Sequence, residues 1–473
     1  MNMKILLLFV FLHHLHYFIH GRTLSERQAL LSIKSAITYD PFNSLSSWKN
    51  TTHHCSWPYI TCSSSSSSVI SLNFTELLLE GILSPDIGFL TNLQNLSIRS
   101  NLFSGPLPHS LSLLTQLRYL HVSSNSFTGP IPSSLSLLTQ LRHLDVSFNS
   151  FTGPIPSSLS LLTQLRYLYV SVNSFTGPIP SFLSLLTQLR YLDVSGNNLN
   201  GTLPLSVVEM SELRYLNLGY NSFYGEIPPE FGKLKKLQTL NLVSNTLSGG
   251  LPFELGSLKN LKYIYLSINN LYGSIPDYIG DFPELESLSL GSNNFTGSIP
   301  QKLGTNGKLQ YLDISNNSFS GSLPVSLCKG DKLQDLDASY NLLVGSIPES
   351  LGSCKSLEGV YMGNNFLNGS IPKGLFGSDV SLNDKLLSGG LDEKFGDCVN
   401  LRDIDLSNNK LSGKLPATIG NCIHLQSLML YNNTFTGRIP QEISKCKQLQ
   451  TLDLSQNQFS GVIPNDITGK KVY

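Results

Sequence analysis

Net charge is what this sequence most plainly lacks. Its 32 lysines and arginines balance 32 aspartates and glutamates, and charged residues make up only 14% of the 473. Without a cationic excess there is no electrostatic claim on nucleic acid or an anionic membrane surface, so neither is expected as a partner. Beyond the first residues no apolar run approaches the ~20 residues that span a bilayer, and direct membrane insertion is not expected. Catalytic wording is absent too. The chain has no glycine-rich phosphate loop, nucleophile elbow or kinase motif, and its aspartates and histidines are scattered. It is not expected to be an enzyme or to need a cofactor. No histidine joins the cysteines at a ligand spacing, so no metal site is expected either.

What is present begins with an export signal. Lys4 precedes the apolar run Ile5 to Leu12, which predicts a secretory signal peptide over 1–21. Eight Asn-x-Ser/Thr sequons, at Asn50, Asn73, Asn95, Asn200, Asn294, Asn316, Asn368 and Asn432, agree with export and are candidate glycosylation sites. Seven cysteines are an odd number, so at least one stays free or pairs between chains.

The organising fact is a ladder. From Asn101 an asparagine recurs every 24 residues to Asn365, and the spacing resumes at Asn409, Asn433 and Asn457. The template is clearest in Leu117-Arg-Tyr-Leu-His-Val-Ser-Ser-Asn125-Ser-Phe-Thr-Gly129-Pro-Ile-Pro132. Leu120 and Val122 alternate with Tyr119, His121 and Ser123, the period of a strand with one buried face. Asn125 ends the strand where its amide can bond the backbone of neighbouring turns. Phe127 fills the interior, Gly129 permits a turn, and Pro132 fixes the exit. Self-similarity at this period resembles leucine-rich repeats. The expected fold is an α/β-type leucine-rich-repeat solenoid of about 17 turns over 69–473, with short parallel strands and an irregular or 3-10 convex side. At the ~4.8 Å strand spacing it would form a right-handed superhelical arc on the order of 80 Å long.

The Gly-x-Ile-Pro wording is similar to the plant-type repeats of receptor kinase ectodomains. Glu26-Arg-Gln-Ala-Leu-Leu-Ser-Ile-Lys34, Trp48 and Cys55-Ser-Trp-Pro-Tyr-Ile-Thr-Cys62 resemble that family's helical N-terminal cap, placed here at 22–68. The resemblance implies a Cys55–Cys62 disulfide. Within the family, Asn294-Phe-Thr-Gly-Ser-Ile-Pro and Phe366-Leu-Asn-Gly-Ser-Ile-Pro are similar to CLAVATA-type and BARELY ANY MERISTEM receptors, which bind small secreted peptides on the inner face. Those receptors commonly hold the peptide carboxylate with an Arg-x-Arg pair. Gly359 and Tyr361 stand at those positions here, which puts that ligand in doubt. Membrane helix, kinase and C-terminal cysteine cap are not present up to Tyr473.

Three local expectations follow. Arg118, Arg142, Arg166, Arg190 and Arg214 form one column, read as a solvated row left by duplication of 110–133, 134–157 and 158–181. The turn near 377–389 is four residues short and carries Lys385 at the ladder position, which predicts a kink or a missing strand. Cys354, Cys398, Cys422 and Cys446 share one slot, with Cys328 two positions off. Neighbours could reach disulfide distance, but buried thiols are the expected state.

Alternation puts Tyr167, Tyr169, Tyr191, Tyr215, Tyr263, Tyr265, Asp313 and Asp337 on the inner face as candidate ligand-binding residues. Tyrosines offer contact area at low entropy cost, and the acidic column favours basic ligand groups. The leading reading is a secreted receptor-like protein of the extracellular or cell-wall space. It would recognise a secreted peptide or protein partner without signalling itself, with a membrane receptor kinase or co-receptor as a second partner. A longer form would sit at the plasma membrane surface. The alternatives are a secreted inhibitor of cell-wall-degrading enzymes, similar to polygalacturonase inhibitors, or a truncated receptor fragment.

Overall fold

The structure, a computed structural model, describes residues 24–464 apart from 378, 392–394, 396, 397, 399 and 400, together with 471 and 472. The signal-peptide segment 1–21 lies outside the described residues. The chain forms two compact units, divided between Leu199 and Asn200.

The first unit opens on a helix, Glu26–Ser35, whose start is fixed by a capping box between Ser25 and Gln28. Its buried side carries Ala29, Leu30 and Ile33. The strand Ile60–Cys62 then runs antiparallel to Val69–Asn73, and Cys55 bonds Cys62 with Cα atoms 5.6 Å apart. Trp48 stacks on Trp57 at 5.2 Å and meets Phe74 at 5.5 Å. These rings cover apolar surface that the first turn cannot bury against a preceding one.

Two parallel sheets follow in this unit. The first sheet pairs Asn95–Ser97, Tyr119–His121, His143–Asp145, Tyr167–Tyr169 and Tyr191–Asp193 in register, so that Tyr119 faces His143 and Tyr167 faces Tyr191. The second sheet pairs strands such as Ser126–Gly129 and Ser150–Gly153. Gly129 has φ +76°, a left-handed conformation that a Cβ would strain. Short 3-10 segments, among them Ser133–Leu137 and Ser157–Leu161, return the chain to the next turn. Between the sheets Phe103, Phe127, Phe151 and Phe175 are fully buried and stack at 6.3, 6.2 and 6.2 Å, within 10° of parallel.

The second unit repeats the plan. Its first sheet runs in parallel register from Tyr215–Asn217 to Thr451–Asp453, and its second sheet includes Ser222–Glu226, Leu342–Ser346 and Phe366–Gly369. Leu240, Leu288, Leu336 and Leu428 are at most 1% exposed.

The ladder asparagines couple turns as their spacing requires. Asn293 is buried; its Nδ2 donates to Leu266 O and Leu290 O, each at 3.0 Å, and its Oδ1 accepts from Leu271 N at 3.0 Å. One amide thus serves the backbone of its own turn and the turn before. Asn293→Ala would leave a buried N–H and buried carbonyls without that partner, at roughly 1–3 kcal/mol for each group left unsatisfied. A clearly lowered urea midpoint is expected; an unchanged one would show that the amide is replaceable by water.

The strand expected to be missing near Lys385 is present. Asp379–Ser381 pairs in register with Gly359–Tyr361 and with the strand Asp403–Asp405. Strand pairing is made by the backbone and anchored by buried Val380, so it survives loss of the asparagine. The four-residue deficit is taken up on the opposite side. There a three-residue 3-10 segment, Leu375–Gly377, leads almost directly into the strand, and Phe376 packs on Phe395 at 4.6 Å. Lys385 itself is 5% exposed, and its buried Nζ has no hydrogen-bond partner.

Candidate functional site

In each unit the outward side of the first sheet collects the candidate residues. In the first unit His143, Tyr167 and Tyr191 are successive register partners, and their rings stack at 5.1 and 5.0 Å. His121 lies 4.2 Å from His143, and Tyr169 is 5.5 Å from it. Mutual stacking uses up the ring faces and leaves edges and hydroxyls for a partner. Burial, with a contribution from His121 and against the pull of Asp145, pushes the His143 imidazole down to about 4. Burial likewise lowers His121 and, with neighbouring phenols and carboxylates, pushes the Tyr169 phenol up to about 12. This face is therefore neutral in its rings at ordinary pH, with Asp145 and Asp193 as its acids.

In the second unit the candidates separate into spent and unspent groups. Asp313 Oδ1 accepts from Ser315 N at 3.0 Å and Ser315 Oγ at 2.7 Å, and its Oδ2 accepts from Ser289 Oγ at 3.0 Å. Asp337 binds Ser339 in the same way, at 2.9 and 2.6 Å. Asp145, Asp193, Asp405 and Asp453 repeat the arrangement. These are side-chain turns that terminate strands, so Asp313 and Asp337 act first as structural caps. Tyr263 donates its hydroxyl to Glu286 Oε2 at 2.7 Å, and Lys262 Nζ reaches Oε1 at 3.0 Å. That bond, then burial, pushes the Tyr263 phenol up to about 12. Tyr265 lies alongside Tyr263 at 6.4 Å, and Tyr215 accepts from Asn217 Nδ2 at 3.2 Å.

The carboxylates left uncommitted are Asp335 and Asp403, the first outward residues of their strands. Burial and then Glu358 raise the Asp335 carboxyl; burial and then Asp379 raise Asp403, against the opposing Arg402. Tyr311, the register partner of Asp335, is pushed up to about 12 by burial and by Asp313, Asp337 and Asp335. Gly359 stands between Asp335 and Asp379 in the sheet, and Tyr361 between Asp337 and Ser381. The Tyr361 ring lies over Gly359: a Cβ there would meet Tyr361 Cε2 at 2.8 Å. No lysine or arginine occupies an outward position on the strands from Tyr311–Asp313 to Thr451–Asp453. The signal that separates the two classes of aspartate is the Asp-x-Ser wording, as in Asp313-Ile-Ser315, which Asp335 and Asp403 lack.

The cysteine expectation requires correction. Cys328 bonds Cys354 and Cys398 bonds Cys422, with Cα distances of 5.9 and 5.0 Å, so four cysteines expected to be thiols form disulfides. Equivalent slots in neighbouring turns lie about a strand spacing apart, which is disulfide range. Cys446 is a buried thiol donating to Ile419 O at 3.3 Å. The two groupings of potential metal donors among the described residues, around Cys55 and around Cys328 and Cys354, have their sulfurs in these disulfides. Seven of the eight sequon asparagines are exposed; Asn95 is half-buried. Asn73 and Asn95 lie on first-sheet strands, and Asn200, Asn294 and Asn368 on second-sheet strands. In the arginine column Arg118 is exposed and the others half-buried, with a buried Arg214 Nε. No helix among the described residues is long and apolar enough to cross a membrane.

Parallel in-register strands, an asparagine ladder and 3-10 returns define a leucine-rich-repeat protein. Family models agree: a leucine-rich repeat region matches 171–368, a leucine-rich-repeat N-terminal domain 24–63, and leucine-rich repeats 399–459. The ectodomain of the Arabidopsis receptor kinase HAESA, solved with the peptide hormone IDA and the co-receptor SERK1, is 34% identical with a TM-score of 0.77. The match covers 93% of this chain and 83% of that one. The ectodomain of Arabidopsis thaliana GASSHO1/SCHENGEN3, solved with CASPARIAN STRIP INTEGRITY FACTOR 2, is 33% identical with a TM-score of 0.77, over 93% of this chain and 60% of that one. A probable leucine-rich-repeat receptor-like serine/threonine-protein kinase of Arabidopsis thaliana is 39% identical over 85 residues, 18% of this chain and 8% of the kinase. The chain thus matches less than a tenth of that relative's length. It belongs to the leucine-rich-repeat family of plant receptor ectodomains.

Proposed function

We propose that this chain is a non-catalytic, receptor-like binding module that works outside the cell and holds a basic peptide or protein segment. The segment lies on the first-sheet face of the second unit. The observation that carries this reading is the pair of uncommitted carboxylates, Asp335 and Asp403, on a face whose outward strand positions from Tyr311 to Asp453 hold no cation. Their raised protonation reflects burial and neighbouring negative charge, which a ligand's ammonium or guanidinium would relieve. Tyr311 beside Asp335, and Tyr361 on the strand next to it, add contact area. Solved relatives bound to peptides support the class of ligand, and the HAESA complex supports a co-receptor as a second partner. Three disulfides and exposed sequons suit an oxidising compartment.

Selecting peptides from a random-sequence display library on the intact chain tests the proposal. Binders rich in lysine or arginine are expected, weakening as salt rises and losing roughly tenfold or more in affinity when Asp335→Asn and Asp403→Asn are combined. Acidic binders, or binding indifferent to both substitutions, would sink it.

A further inference from the structure

On the 3-10 side of the second unit, away from both sheets' outward faces, three successive returns frame a groove of about 670 Å³. They are Pro229–Lys233, Phe253–Ser257 and Asp277–Asp281. The size lies within the range of small-molecule sites. The anomaly that marks it is Phe253, 80% exposed. The same slot, one residue after the repeat proline, holds polar residues such as Ser133, Ser157, Asp277, Gln301 and Glu349 in some turns and aliphatic Leu205 and Val325 in others, but no other phenylalanine, tyrosine or tryptophan. The solenoid therefore has no need of an aromatic ring there. Its neighbour Tyr278 stands where other turns place Ser134, Ser158 or Ser326, with Phe182 as a second aromatic in that slot.

Tyr278 is a fixed wall. Its hydroxyl donates to Pro252 O at 2.8 Å, and its ring meets Phe253 edge-on at 6.2 Å and Phe282 at 5.7 Å. Burial and Glu254 raise its phenol, so the wall carries no charge. Gly256 lets this wall close in, since a Cβ there would lie 2.8 Å from Tyr278 Cγ. The floor and walls are thus rings, proline and bare backbone.

The rim is charged. Lys233, Lys235 and Lys259 line it against Glu230 and Glu254. None of the three lysines forms an ion pair among the described residues, whereas neighbouring Lys236 is paired with Glu212. Lys259 Nζ instead sits 5.7 Å from the Phe282 ring centroid. An apolar cleft whose excess charge is uncommitted ammonium suits a ligand with the opposite pairing. None of the sequon asparagines lines it, so glycans on them would be attached elsewhere.

We propose that this groove binds a small amphiphilic anion, an apolar ring system or short chain that ends in a carboxylate or sulfonate. The apolar body would lie between Phe253 and Tyr278, and the anionic end would meet Lys235 and Lys259. This site is separate from the peptide-binding face proposed above.

The aromatic sulfonate 8-anilinonaphthalene-1-sulfonate is a direct probe, and the intact chain is the right material. One saturable site per chain is expected. Phe253→Ser is expected to weaken it roughly tenfold or more, through lost apolar contact. The substitution touches an exposed side chain, so the denaturation midpoint should not move. Lys235→Glu with Lys259→Glu should weaken the sulfonate similarly, yet leave binding of the uncharged analogue N-phenyl-1-naphthylamine unchanged. The proposal is overturned if the sulfonate binds Phe253→Ser as well as the parent. It is equally overturned if the double lysine change leaves sulfonate affinity intact, or if the uncharged analogue binds the parent as tightly.

Discussion

Lys385→Asn is expected to raise the denaturation midpoint of the second unit and to flatten its pH dependence between about pH 7 and 10.5. In the parent chain the ammonium is buried where the other turns from Asn101 to Asn457 have an amide, and its Nζ has no partner. Burial, opposed only in part by Asp384, pushes the lysine down to about 7 from 10.5. Asp384 itself is engaged by Asn383 and Asn408 Nδ2. Between those two pH values the unfolded chain binds a proton that the folded chain does not, so stability rises with pH across this window. Below about 7 both forms are protonated, and the fold carries the full penalty of an unpartnered buried charge.

Asparagine would remove that penalty and restore the ladder. Leu343 N and Leu387 N donate to Asn365 Oδ1 at 3.0 Å and Asn409 Oδ1 at 3.2 Å, while Leu367 N, at the same place in the short turn, faces no such oxygen. Recovering that bond and losing the charge should add roughly 2–5 kcal/mol near pH 6. Urea denaturation of parent and variant at pH 6, 8 and 10 checks this. A parent that is equally stable at all three values, or a variant that is less stable, would refute the account.

The second large effect belongs to the disulfides. Cys328–Cys354 lies in the turns before the defective one and Cys398–Cys422 in the turns after it, so the place where the ladder is broken is bracketed by covalent links. Replacing Cys398 and Cys422 together by serine opens a loop with a sequence separation of 24. By loop-closure entropy this costs about 3–4 kcal/mol. Because each turn leans on its neighbours, the loss should appear as early local melting around 379–430 in hydrogen exchange before global unfolding. Uniform loss of protection along the chain would argue that the bond supports the whole array equally.

Much of this was readable in the sequence wherever a requirement repeats. The ladder asparagines, Leu120 and Val122 inward, Phe127 between the sheets and the left-handed Gly129 follow from one template, because each turn presents the same environment. The Cys55–Cys62 link followed from a resemblance of the cap. What was not readable depended on relations between turns. Slot equivalence put Cys398 near Cys422, but buried thiols and a disulfide fit the same slot, and distance decided. Loss of the asparagine in the short turn predicts a kink or a missing strand, yet the strand is there because its pairing needs only backbone and Val380. Asp313 and Asp337 looked like ligand groups by alternation alone; the serines two residues on had already claimed them. Phe253 gave no periodic signal, since it departs from the pattern only in carrying an aromatic ring where the slot otherwise holds polar or small aliphatic side chains.

The stacked phenylalanines of the first unit have an evolutionary corollary. Phe127, Phe151 and Phe175 repeat one spacing and one tilt, so each turn's upper surface matches the lower surface of its own duplicate. A gene segment encoding 24 residues can then be gained or dropped by unequal recombination, and the new junction fits at once. The length of the module is thereby free to drift in whole steps, while its chemistry at any given rung stays open to change.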